Sequence, residues 1–163
     1  MKYKFCPECG EMLIEKELGD EGLIPYCNTC KKPYFEKVGQ SVLVTVVNEC
    51  NEVLLLKQNY VSRTNWVLVA GYIKKGETAE ETAIREVIEE TGQRSDKLRY
   101  IKSYYYEKHE LLMLGYLMKV EKGDFSKSIE VDELKWFSFD DAILKLRCGS
   151  IGEKHLLNCL KYI

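Results

Sequence analysis

Long apolar runs, prolines and an excess of charge of either sign are all scarce in this sequence. No stretch approaches the roughly 20 apolar residues that cross a bilayer, and the opening Met1-Lys2-Tyr3-Lys4-Phe5-Cys6 lacks the apolar core of a secretory leader. The expectation is a cytoplasmic protein with no membrane partner. Lys and Arg number 24 against 26 Asp and Glu, a formal net charge of −2, which argues against a generic nucleic-acid coat or a polybasic membrane binder. Three prolines in 163 residues leave no Pro-rich linker, and there is no internal repeat or low-complexity tract. With 45% hydrophobic and 31% charged residues, the composition is that of a chain able to bury a core, unlike a disordered one. The length suits one domain, or one domain plus a small module.

Cysteine is plentiful, at seven residues. In a reducing compartment a disulfide framework is not expected, and an odd count leaves one thiol unpaired in any case. Cys6-Pro7-Glu8-Cys9 and Cys27-Asn28-Thr29-Cys30 form two CxxC pairs separated by the 17 residues Gly10 to Tyr26, the spacing of a four-thiolate zinc site. Two-residue spacing lets a tight turn aim both sulfurs at one ion, and Lys31-Lys32 beside the second pair favour the thiolate. Four protein ligands leave no open position for substrate, so this site is read as structural. Residues 1–37 are too few to bury a core of their own, and the ion replaces that core. Cys50, Cys148 and Cys159 lie outside the pairs and are read as buried apolar thiols.

From Gln40 onward the pattern changes to short β-rich runs at 41–47, 53–57, 66–70, 98–106, 111–120 and 134–139, the first two joined as a hairpin through Asn48 to Glu52. Helices are expected at Ala79 to Thr91, Asp140 to Leu146 and Gly152 to Tyr162. Strands not separated by regular crossover helices imply a mixed, largely antiparallel sheet with helices on its faces. The helix from Ala79 is strongly marked. Thr78-Ala-Glu-Glu81 is a capping box, and Gly92 suits the left-handed position just past the end. Ala79, Ala83, Ile84, Val87 and Ile88 form one apolar face. At about 100° per residue, Glu86, Glu89 and Glu90 share one stripe. That stripe is either a solvated acidic face or a set of clustered oxygen ligands whose mutual repulsion a hard divalent cation relieves.

Gly71, Glu77, Arg85-Glu86-Val87, Glu89-Glu90 and Gly92 stand at the spacing Gx5Ex7REUxEExGU, with U an aliphatic residue. This is the Nudix box. Only the final U departs, since Gln93 stands there, and a weakened packing contact is expected. The chain resembles Nudix hydrolases, and the resemblance implies an α/β/α sandwich around a mixed sheet. It also implies that Glu86, Glu89 and Glu90 hold Mg²⁺ or Mn²⁺, and that Glu89 or Glu90 activates the attacking water. Arg85 would orient a carboxylate, Glu77 would brace the loop, and Gly71 and Gly92 would permit backbone turns, with Gly71 also among the substrate-binding residues.

A four-cysteine ribbon over 1–37 followed by a Nudix domain over 38–163, with Val67-Leu-Val-Ala-Gly71 entering the box, is similar to the NADH pyrophosphatase branch. That resemblance implies hydrolysis of NADH or NAD⁺ to AMP and nicotinamide mononucleotide, with NAD-capped RNA as a further substrate and a homodimer as the assembly. ADP-ribose and other nucleotide-sugar or dinucleotide substrates follow closely. The rival is a non-catalytic ligand sensor whose ribbon contacts nucleic acid or protein. Longer members carry a further N-terminal domain, expected to be missing from this chain. Where the branch has the signature SQPWPFPxS, this chain reads Ser103-Tyr-Tyr-Tyr-Glu-Lys-His-Glu-Leu111. Tyr104 and Tyr106 suit stacking on a base or nicotinamide ring, although aromatic residues alternating along a strand also suit core and surface packing. Glu133-Leu-Lys-Trp136 is similar to the family's ExxW segment and makes Glu133 a further metal ligand, with Glu130 as its rival. His109 is read as a solvated loop residue and His155 as structural. Lys74-Lys75 suits either substrate phosphates or a solvated pair.

Overall fold

The computed structural model describes residues 3–163. Chain contacts divide it into two compact units, 1–38 and 39–163. In the first, strands β1 (Ile14–Glu17), β2 (Leu23–Cys27) and β3 (Lys32–Pro33) form an antiparallel sheet in that order. Among the described residues there, the buried hydrophobic ones are Cys6, Leu13 and Cys27, with Tyr3, Cys30 and Tyr34 against them. Half of that cluster is cysteine, so its apolar burial is too small to fold 38 residues without a cross-link.

The second unit is built on a six-stranded sheet. Strands β4 (Gly39–Val47), β5 (Val53–Lys57), β6 (Val69–Tyr72), β7 (Leu98–Tyr106), β8 (Leu111–Lys119) and β9 (Glu133–Phe137) run in the order β7-β8-β4-β5-β9, with β6 also pairing β4. Only β4 and β8 are parallel, from Gly39↔Leu111 to Val47↔Lys119; the other pairs are antiparallel. This is the expected mixed α/β sandwich, because the β4 alternation sends Val42, Val44 and Val46 to one core and Leu43 and Val47 to another. Helix α1 (Ala79–Thr91) closes the first core with Ala83 and Val87. Helices α2 (Phe139–Lys145) and α3 (Ile151–Cys159) close the second with Ala142, Leu156 and Cys159.

The strand expected over 66–70 is shifted. Val67 makes only an isolated bridge to Leu56, and the ladder begins at Val69 because the loop after β5 must turn before β6 can reach β4. Helix α3 ends at Cys159 and its last residues tighten into a 3₁₀ turn, as helix ends commonly do. Cys159 is buried and its thiol is pushed up to about 11 by burial. Cys50 and Cys148, read as buried, are exposed, since each sits in a turn rather than on a core-facing strand or helix.

His155 is structural. It is fully buried, its Nε2 lies 2.9 Å from the Tyr116 carbonyl and its Nδ1 3.2 Å from the Tyr104 hydroxyl. Its ring occupies the space that a side chain at Gly115 would take, as a Cβ there would stand 2.6 Å from the imidazole and 2.8 Å from the Lys102 carbonyl. Gly115→Ala is therefore expected to lower stability by about 1–3 kcal/mol through overpacking, read as a lower urea midpoint.

Candidate active site

Helix α1 is positioned from both ends. Thr78 accepts from the Glu81 amide and Glu81 returns a bond to the Thr78 amide, completing the capping box, and Gly92 closes the helix at φ 77°. Beyond that glycine, Gln93 does more than occupy an aliphatic position. It is buried, its Oε1 accepts from the Gly123 amide, and its Nε2 donates to the Gly123 and Asp124 carbonyls. The expected weak packing contact is instead three hydrogen bonds that, with Ser126 N to the Thr91 carbonyl, fasten the loop 121–132 to the end of α1.

Arg85 organises the acidic stripe. Nε and Nη2 form a fork on Glu77 at 2.8 and 2.9 Å, Nη1 donates to Glu86 at 2.6 Å and Glu89 at 3.1 Å, and Nη2 also reaches the Tyr72 carbonyl at 3.2 Å. These five bonds match the donor capacity of a guanidinium. Glu77 also accepts from Thr82 Oγ1 at 2.8 Å and the Lys74 amide at 3.2 Å. The Arg85 fork, with these two bonds, draws its carboxyl down to about 2, so it is an anionic brace at any working pH.

The other carboxyls are held differently. Glu86 is pushed above its ordinary value by burial, against the pull of Arg85. Glu90 is 5% exposed and accepts from Gln58 Nε2 at 2.6 Å through Oε1, while its Oε2 has no hydrogen-bond partner. Burial, with the Glu86 charge adding to it, pushes the Glu90 carboxyl up to about 7. Glu89 is half exposed. A buried, unpartnered carboxylate oxygen is costly unless something fills its lone pairs, and the oxygen-only donor set of Glu86, Glu89 and Glu90 suits a hard divalent cation. The three carboxyls do not converge within ligand distance of one another, and Arg85 donates to both Glu86 and Glu89.

Gly71 is fixed by the same geometry, because a Cβ there would overlap the Glu86 carboxyl. Gly71→Ala should displace that carboxylate and lower kcat by about 10²-fold while leaving the fold intact, which steady-state kinetics and circular dichroism would show together.

Other expected site residues are dispersed. Tyr104 stands on β7, and its hydroxyl meets His155 and Asn158 of α3, on the sheet face opposite α1. Tyr106 lies against the His109 ring at 5.0 Å. Neither tyrosine contacts the box. Glu133 is exposed at the start of β9 opposite Lys57, and because Leu134 and Trp136 join the core under α1, alternation sends Glu133 to the other side. Glu130, in the turn before β9, stands close enough to Glu90 to add to the rise that burial and Glu86 cause there, and it lies beside Tyr60. Of the lysine pair, Lys74 stands close enough to draw Glu86 down, and both side chains are exposed. Gln58 and Tyr60 were not foreseen. A buried glutamine directly after the apolar run Val53-Leu-Leu-Leu-Lys57 was their one local signal.

A family model of the NUDIX domain matches residues 37–158. The chain belongs to the Nudix family. Among curated Nudix relatives, the NAD-capped RNA hydrolase NudC of Pectobacterium atrosepticum is 27% identical over 139 residues, 85% of this chain and 52% of that protein. NudC of Salmonella schwarzengrund is 28% identical over 155 residues, 93% of this chain and 58% of that protein. The chain thus spans a little over half the length of these relatives. Among solved structures, a NUDIX hydrolase from Nitrosomonas europaea superposes with a TM-score of 0.73 at 23% identity, covering 98% of this chain and 91% of that one. The NUDIX domain of Shewanella oneidensis NrtR, complexed with ADP ribose, gives a TM-score of 0.67 at 15% identity, covering 84% and 93%. At such identities the structures support the Nudix fold alone.

In the N-terminal unit, the sulfur ligand atoms of Cys6, Cys9, Cys27 and Cys30 lie within 4.8 Å of one another. Cys9 and Cys27 are 3.5 Å apart and Cys6 and Cys30 3.9 Å. A tetrahedral ion with Zn–S bonds of about 2.3 Å has sulfurs separated by about 3.8 Å, so the cluster has the right size. Despite its burial, the Cys6 thiol is drawn down to about 6 by the Tyr34 hydroxyl at 3.0 Å and the backbone amides of Cys9 and Glu8. Cys30 is pushed up to about 12, first by Cys9. Such a set ionises fully only around a cation. Among the described residues no helix is long and apolar enough to cross a membrane.

Proposed function

We propose that this Nudix protein hydrolyses the pyrophosphate bond of a nucleoside diphosphate linked to a second group, with NADH, NAD⁺ and NAD-capped RNA as leading substrates. The observation that carries the reading is the buried Glu90 carboxyl with its unpartnered Oε2, set on one helix with Glu86 and Glu89 behind the Arg85 clamp. The names of the NudC relatives support the choice of substrate. Glu86, Glu89 and Glu90 would hold Mg²⁺ or Mn²⁺, and Cys6, Cys9, Cys27 and Cys30 would hold Zn²⁺. The bound divalent cation offsets the charge of the pyrophosphate oxygens and acidifies water.

The chain's own groups divide the remaining work. Arg85 holds Oε2 of the half-exposed Glu89 carboxylate, whose second oxygen takes a proton from the attacking water. The water oxygen bonds to one phosphorus, the bridging oxygen leaves with its electron pair, and the proton passes to the departing phosphate. NADH thereby gives AMP and reduced nicotinamide mononucleotide.

A product-resolved screen tests this. NADH, NAD⁺, ADP-ribose, dinucleoside polyphosphates, NAD-capped RNA and nucleoside triphosphates are incubated with the full chain and Mg²⁺ or Mn²⁺. Two monophosphate-ended products from NADH are expected. Release of pyrophosphate from triphosphates alone, or binding without turnover, overturns the proposal.

A further inference from the structure

Four apolar side chains are exposed on the two loops bordering the carboxylate stripe. Tyr60 is 69% exposed and Val61 55%, in the loop after β5, while Phe125 is 42% exposed and Ile129 fully exposed in the loop before β9. Scattered surface hydrophobics are ordinary, but their gathering beside a charged site is a mark of ligand contact.

The two loops are pinned in place. Val61 and Ser62 amides return to the Gln58 carbonyl, which fixes the turn carrying Tyr60 to the residue that bonds Glu90. The Asn59 amide donates to Asp132 Oδ2 at 2.7 Å, joining this turn to the second loop, within which Lys127 Nζ donates to the Asp132 carbonyl. Gln93 and Thr91 hold the far end of that loop to α1. Tyr60 stands beside Glu130, the neighbour of Ile129, with its ring left open.

We infer that Tyr60 and Ile129 are the specificity-determining residues of this site, forming the apolar walls that receive the planar base of the nucleotide whose pyrophosphate lies at the carboxylates. A pyrophosphate oxygen held near Glu90 leaves the attached nucleoside within reach of the loops that meet there, and an aromatic face with an aliphatic edge suits a flat heterocycle. This rests on the pyrophosphatase reading for the ligand's class. It replaces Tyr104, whose hydroxyl is spent on α3.

The test is equilibrium binding of AMP and of ribose 5-phosphate to the full chain in Mg²⁺. The two ligands carry the same phosphate and sugar and differ in the base. Stacking on one aromatic side chain is worth about 1–3 kcal/mol, so wild type should bind AMP at least about ten-fold more tightly than ribose 5-phosphate. Tyr60→Ala and Ile129→Ser should each shrink that ratio several-fold while leaving ribose 5-phosphate affinity unchanged. Tyr60→Phe, which keeps the ring and loses only the hydroxyl, should retain most of it. Unchanged thermal midpoints would show that the variants fold. A wild-type ratio near one, or a ratio untouched by Tyr60→Ala, overturns the inference. Absence of turnover on every substrate in the screen overturns the hydrolase reading alone, because the binding ratio is measured without catalysis.

Discussion

Glu90→Gln is expected to lower kcat by about 10²–10⁴-fold and at the same time to make the metal-free protein more stable above neutral pH. Both effects come from one carboxyl. It is 5% exposed, Oε2 is unpartnered, and burial raises it from 4.5 to about 7. A carboxyl raised in the folded state binds its proton more tightly there than in the unfolded chain. Its favourable contribution is complete below pH 4.5 and is lost as pH rises through about 7. The gap corresponds to a penalty of about 3 kcal/mol at alkaline pH. Glutamine keeps the acceptor for Gln58 and carries no charge, so the penalty vanishes. Urea unfolding in chelator, followed by the fluorescence of Trp66 and Trp136, should show wild type and variant alike at pH 4 and the variant more stable at pH 8. Adding Mg²⁺ should raise the wild-type midpoint and leave the variant's where it was. Turnover within ten-fold of wild type would remove Glu90 from the mechanism, and identical stabilities at pH 8 would show that its charge is satisfied some other way.

Cys27→Ser should unfold residues 1–38 and spare 39–163. Cys27 is fully buried at the centre of a cluster with few other buried apolar side chains. Structural zinc supplies about 10–16 kcal/mol to such small modules, far beyond what those apolar contacts contribute. Wild type should release one equivalent of zinc when its thiols are titrated with an organomercurial. The variant should bind zinc weakly, and limited proteolysis should remove its N-terminal segment while a fragment carrying the Nudix box persists. Full resistance of the variant's N-terminal unit would show that the cysteines are not what holds it.

The features legible in the sequence were those formed within a few residues. The capping box, the αL glycine at 92 and the shared stripe of Glu86, Glu89 and Glu90 are set by helical period alone, and each CxxC knuckle by one turn. The Nudix box was readable for the same reason, since most of it is one loop and one helix. The strands came next, with boundaries slipping wherever a partner decided them, as at Val69. The apolar reading of Cys50 and Cys148 failed because a thiol's burial depends on what packs over its turn.

What only the tertiary structure decided is which distant residues complete the site. Gln58 meets Glu90 across 32 positions, because α1 packs on the sheet face beside the end of β5, and Asn59 meets Asp132 across 73, because β5 and β9 pair. The same pairing takes Glu133 to the side away from α1 and leaves Glu130 in the turn beside Glu90. The β7 alternation likewise gives Tyr104 to α3. A sequence specifies its own turns and helical faces through neighbouring bonds, whereas the face a strand residue takes and the loop it meets are fixed by register with a remote partner.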